Sequence, residues 1–163
     1  MKLLVNVDVP DLDRAVAFYR DGLGLRLARR LFDGSVAEMR GAAAPIYLIA
    51  RAPGSRPFGR SRAGVARDYR RHWTPVHLDF AVADLAAAVA RAVEAGATLE
   101  QPVARYAWGR LALLADPFGH GFCLVEFSER GYAAVAVSPA PRRARPRRDV
   151  ALTARSAPRS RAR

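Results

Sequence analysis

LVNVDVPDL (Leu4–Leu12) and HLDFAVADL (His77–Leu85) stand 73 positions apart and read as two versions of one phrase. In each, apolar and polar residues alternate with the period of a half-buried strand. Each closes on Val-x-Asp-Leu and runs into an amphipathic segment. Asp11 and Asp84 are good helix N-caps. Behind them Leu12, Ala15, Val16 and Tyr19, then Leu85, Ala88, Val89 and Ala92, fall on one helical face. Gly22 and Gly24 stop the first helix, and Gly96 the second. The copies disagree at their first residue, which is leucine in one and histidine in the other.

Downstream of each helix the pattern repeats again. Strand-like runs lie around Leu25–Leu31, Ser35–Arg40 and Ile46–Ala50, with a hairpin turn at Phe32–Gly34. In the second half they lie at Thr98–Val103, Arg110–Leu114 and Phe122–Phe127, with ADPFGHG (Ala115–Gly121) as a turn. Both halves therefore read β-α-β-β-β, an internal duplication. The fold class is α+β. Residues 1–50 form the first module and 75–130 the second. Residues 51–74, rich in Arg, Gly and Pro, form a linker loop. Residues 131–163, rich in Arg, Pro and Ala, form a tail. From about Ser138 the tail is too poor in large apolar residues to offset its ordering entropy and is expected to be disordered.

Composition bounds the function. The 163 residues are 51% hydrophobic, enough for a core, yet no run approaches the ~18 apolar residues of a membrane span. One cysteine, Cys123, excludes an intrachain disulfide and fits a reducing compartment. The expectation is a soluble, cytoplasmic protein with no membrane partner. The net charge of +12 suggests nucleic acid. However, nine arginines against one acid fall between Arg142 and Arg163, and without them the charge is +4. Abundant Arg, Ala, Gly and Pro reads as compositional bias, so nucleic acid ranks below a small-molecule ligand as partner.

VPDLDRAVAFYRDGLGL (Val9–Leu25) and DPFGHGFCLVEF (Asp116–Phe127) resemble the vicinal oxygen chelate superfamily of glyoxalases, bleomycin-resistance proteins and extradiol dioxygenases. The resemblance covers about Met1 to Phe127. It implies two modules forming paired half-barrels around a cleft, helices on the convex side, and a homodimer. Alternation then turns Val5, Val7, Val9, Leu78, Phe80 and Val82 toward the helices. Leu4, Asn6, Asp8, His77, Asp79 and Ala81 face the cleft.

Metal-dependent members of that superfamily take ligands from the first and last strands of each module. Carried over, the pattern falls on Leu4, Tyr47, His77 and Cys123. Leu4 cannot coordinate and Tyr47 is a poor ligand. The expectation is therefore no metal and no cofactor, because two of the four positions for a divalent ion are lost. The ligand-binding candidates are His77, Asp79, Asn6, Tyr47 and Cys123, with Arg110 and Trp108 at the cleft mouth. No catalytic residue is assigned. A His77/Cys123 pair in a lyase or dioxygenase-like enzyme is the alternative, and nucleic-acid association through the basic tail the third reading. Glu126 reads as out of the ligand register, at the strand end. His120 reads as a turn residue bonding the backbone, and Trp73 as packing that anchors the linker.

Overall fold

The computed structural model describes residues 1–57 and 65–137. The first module runs β1 (Val5–Val9), α1 (Leu12–Asp21), β2 (Arg26–Leu31), β3 (Val36–Arg40) and β4 (Ile46–Ala50). The second runs β5 (Leu78–Ala81), α2 (Leu85–Glu94), β6 (Thr98–Leu99), β7 (Ala104–Tyr106), β8 (Gly109–Ala115) and β9 (Gly121–Phe127). A 3₁₀ turn at Gly131–Ala134 follows. The disorder expected from Ser138 onward lies outside the described residues.

The sheets are α+β halves of matching topology, ordered β1-β4-β3-β2 and β5-β9-β8-β6, with no closed barrel. In each, the opening strand pairs in parallel with the last one. A parallel partner needs a long crossover, which a helix with two strands in the first module and three in the second supplies. Asp11 and Asp84 each accept a hydrogen bond at 3.0 Å from the amide three residues on. Phe32 and Asp33 both sit at φ 51°, closing the hairpin expected there.

One expected strand is broken. Thr98–Val103 is not continuous: β6 stops at Leu99 and pairs with Ala115 and Leu114, and β7 resumes at Ala104 against Leu111. Pro102 between them has no amide to give to the ladder.

Alternation in β1 and β5 follows the expected register. Val9 is fully buried, and Val5, Val7, Phe80 and Val82 pack against one core shared by both helices. Phe122 meets Phe18 of α1 at 6.3 Å and Phe80 at 6.1 Å, edge to face, joining the two modules. The linker is docked as well as connecting. Arg67 reaches Asp8 at 2.6 Å, and the Tyr69 hydroxyl donates to the Arg51 carbonyl at 2.9 Å.

Candidate functional site

The cleft face of the second module carries a compact polar group. Asp79 and Cys123 are register partners on β5 and β9. His77, two residues before Asp79, shares its face and brings Nε2 to 3.3 Å from Oδ1. One donor atom from each of His77, Asp79 and Cys123 falls within 4.8 Å of the others. Burial, then the Asp79 carboxylate, pushes the Cys123 thiol up to about 12. A neutral thiol that donates to Asp79 is not a nucleophile at neutral pH, which argues against the His77/Cys123 catalytic pair.

The first module presents a different row. Asn6, Tyr47, Glu38 and Arg29 stand in register across β1, β4, β3 and β2. Glu38 is only 1% exposed and is held between Arg29 and Arg40. The hydrogen bond from Arg29 keeps its carboxyl below the ordinary range. At the superfamily's metal positions this module offers Leu4, whose side chain is hydrocarbon, and Tyr47. The residues present do not form a four-ligand cage drawn from both modules.

Between the edge strands β1 and β5 lies a cavity of about 230 Å³. Residues of both faces border it, so it is a gap through the seam. Phe18, Leu23, Phe80 and Phe122 make it apolar, and Asn6 and His77 give it polar edges. Its remaining wall comes from the linker and the turn before β9. Asp116 Oδ1 accepts from the amides of Phe118 and His120, both at 2.9 Å. Asp116 Oδ2 lies 2.8 Å from His120 Nδ1. A carboxylate can only accept, so Nδ1 carries the proton and Nε2 is left as the acceptor. His72 is anchored alike, Nδ1 on the Arg70 carbonyl at 2.8 Å, and its ring meets His120 edge to face at 5.0 Å.

Two glycines show how closely the linker lies on this turn. A Cβ at Gly119 would stand 2.5 Å from the Arg70 carbonyl oxygen, and one at Gly121 would stand 2.0 Å from the Trp73 ring. Trp73 packs over that gap and lies against His77, the rings tilted by 35° with centroids 4.6 Å apart. It anchors the linker, as expected, and also walls the polar group.

A profile of the glyoxalase-like domain matches residues 4–125. The chain belongs to the glyoxalase-like family, within the vicinal oxygen chelate superfamily. This glyoxalase-like domain is 35% identical over 134 residues to the anthracycline biosynthesis protein DauV of Streptomyces sp. (strain C5), covering 81% of this chain and 43% of that protein. It is 40% identical over 98 residues to the anthracycline biosynthesis protein DnrV of Streptomyces peucetius, covering 60% of this chain and 33% of that one. The chain thus spans less than half the length of these curated relatives. Among solved structures, a glyoxalase-related enzyme from Fulvimarina pelagi superposes with a TM-score of 0.60 at 20% identity, covering 77% of this chain and 87% of the other.

Two residues expected at the cleft mouth of the glyoxalase-like domain lie elsewhere. Arg110 is on the helix face, where its guanidinium grips Glu126, whose carboxylate accepts from the Leu85 amide at 2.7 Å. Alternation along β8 decides this, because Arg110 shares a face with the buried Ala112 and Leu114. Trp108 sits at the far end of β9 from His77. It stacks on Tyr106 at 4.9 Å beside Phe127 and Tyr132. His120, expected to bond the backbone of its turn, instead bonds the carboxylate of Asp116, a residue that sequence reasoning did not single out. The signal was the spacing of four in DPFGH, which lets an aspartate that holds the turn's amides also reach the imidazole.

Among the described residues no helix is long and apolar enough to cross a membrane.

Proposed function

We propose that this glyoxalase-like domain binds a small organic molecule at the seam of its modules, without a metal ion, in the cytoplasm. The observation that carries the reading is the seam cavity, with its aromatic floor and its polar edges at Asn6 and His77. Such a pocket suits an aromatic body with a hydrogen-bonding edge. At about 230 Å³ it falls below the ~300–1,000 Å³ of drug-sized sites, so it takes one or two fused rings. A larger ligand inserts one end and lays the rest on the cleft face, near Tyr47 and Trp73. The names of DnrV and DauV, both anthracycline biosynthesis proteins, support a polycyclic aromatic ligand of natural-product metabolism. The single cysteine, buried and free, suits a reducing compartment.

The test is a fluorescence titration with a hydroxyanthraquinone. The chain has two tryptophans, and Trp73 is the one whose ring lies against His77 at the cavity's edge. Saturable quenching is expected, and Trp73→Phe should remove most of it. His77→Ala should weaken binding by about 0.5–1.5 kcal/mol, the net worth of one partly exposed hydrogen bond. Absent quenching, or equal affinity with His77→Ala and Asn6→Ala, would sink the proposal.

A further inference from the structure

The seam cavity contains groups that ligand binding alone does not use. We infer that it is a proton-transfer site, with His120 as the base and Tyr19 as the hydrogen-bond donor, acting on a small ketone with a C–H next to its carbonyl. This rests on the cavity being a ligand site, and it uses none of the four positions that hold metal in the superfamily.

The geometry makes His120 a prepared acceptor. Asp116 fixes the Nδ1–H tautomer at 2.8 Å, and its own second oxygen is saturated by the two turn amides. The aspartate is buried, which holds it and the ring it bonds in one arrangement. His72, packed edge to face on the ring, limits its rotation. His120 therefore keeps Nε2 clear of the Asp116 bond, on a residue that lines the cavity.

Tyr19, from α1, lines the same space and is 4% exposed. Burial, then the Asp116 charge, raises its hydroxyl well above the ordinary phenol value, so it remains an O–H donor. The pair gives a complete reaction. A C–H bond beside the carbonyl breaks and its proton moves to His120 Nε2. The electron pair becomes a C=C bond, and the carbonyl oxygen takes the negative charge, to which Tyr19 donates. Return of the proton to that carbon or to a conjugated position regenerates the imidazole. No oxidant or reductant is consumed. His120 is the catalytic residue, and Asp116 acts through it as a positioning residue.

The test uses 1-tetralone, a two-ring aryl ketone, incubated with the whole chain in D₂O. Loss of its α-proton signal reports exchange and saturation transfer reports binding. The wild type should bind it and exchange it faster than buffer. His120→Gln should still bind while losing roughly 10²-fold or more of the exchange rate, and Tyr19→Phe should slow exchange with binding retained. Asp116→Asn should slow exchange and change the ¹⁵N signature of the His120 ring from the single Nδ1–H tautomer. Thermal melts check that each variant folds, and His120→Gln decides alone if Asp116→Asn does not. Binding without exchange, or exchange that survives His120→Gln, overturns the inference and leaves the binding reading intact. Absence of saturation transfer overturns both.

Discussion

Asp11 and Asp84 adopt φ −134° with ψ 109° and 105°, and each caps its helix at the same distance. Leu48 and Leu124 occupy matching positions on the last strands, and both are buried in the shared core. The matching stops on the cleft face. There Asn6 and Tyr47 of one module face an acid gripped by two arginines, while Asp79 and Cys123 of the other sit with His77. It stops again at the strand ends, where Ala50 holds the position that Glu126 holds in the other module. The comparison teaches which constraints survive duplication. Packing and capping bind both copies because both must fold. The surfaces turned to the cleft are free to diverge, and a binding site between two unlike walls is asymmetric.

The largest effect tests the shared half of that comparison. Leu48→Ala and Leu124→Ala each remove a fully buried side chain, and each should cost ~2–5 kcal/mol. Because the two lie in one core, chemical denaturation of either variant should remain a single transition with a shifted midpoint. A second transition in either variant would mean that the modules fold independently, and the account of a common core would fail.

The caps sharpen it. Asp11→Ala should cost ~0.5–2 kcal/mol. Asp84→Ala should cost less, because the Leu85 amide of α2 still has Glu126, and the matching Ala50 can do nothing for α1. The Glu126 carboxyl lies below its ordinary value of 4.5, chiefly through its hydrogen bond with Arg110. A depressed carboxyl contributes stability that is present above the unfolded value and lost as pH falls through the folded one. The gap between the two cap variants should therefore narrow on acidification below about 4.5. Urea melts at neutral and acidic pH measure it, and equal costs at both would remove Glu126 from the explanation.

Most of the framework was legible in the chain. The repeated phrase, the Asp caps and the period-2 alternation of Val5, Val7 and Val9 are local signals, and local signals dictate which face of an element is buried. The register of β1 and β5 followed from them, whereas the positions of Leu4 and Tyr47 in a ligand set came only from the resemblance to the superfamily. What failed was tertiary. Arg110 was expected at the cleft mouth with Trp108, but the parity of β8 sends it to the helix side to meet Glu126. Pro102 was overlooked as a strand break. The linker showed no periodicity because side-chain anchors hold it: Arg67 on Asp8, Trp73 over Gly121, and His72 against His120. The cavity wall that His72 builds with Asp116 and His120 joins residues from segments with no sequence signal for one another.

The smallest effect concerns the mismatch between Tyr47 and Cys123. The Cys123 thiol is 4% exposed and is pushed from 9.0 to about 12 in the fold, first by burial and then by Asp79. A group whose folded value lies above its unfolded one stabilises fully below the unfolded value, and that contribution is lost as pH rises through the folded one. From pH 9 upward the unfolded chain gains a thiolate that the native state refuses. Between pH 7 and pH 10 this linkage should cost ~1 kcal/mol. Cys123→Ala has no thiol to ionise, so it should lose less stability over that interval than the wild type, although it starts lower because it leaves a small cavity. Denaturant melts of both proteins at the two pH values isolate the difference. An equal loss in wild type and Cys123→Ala would mean that the thiol ionises as readily folded as unfolded, and the nucleophilic reading of His77 and Cys123 would return.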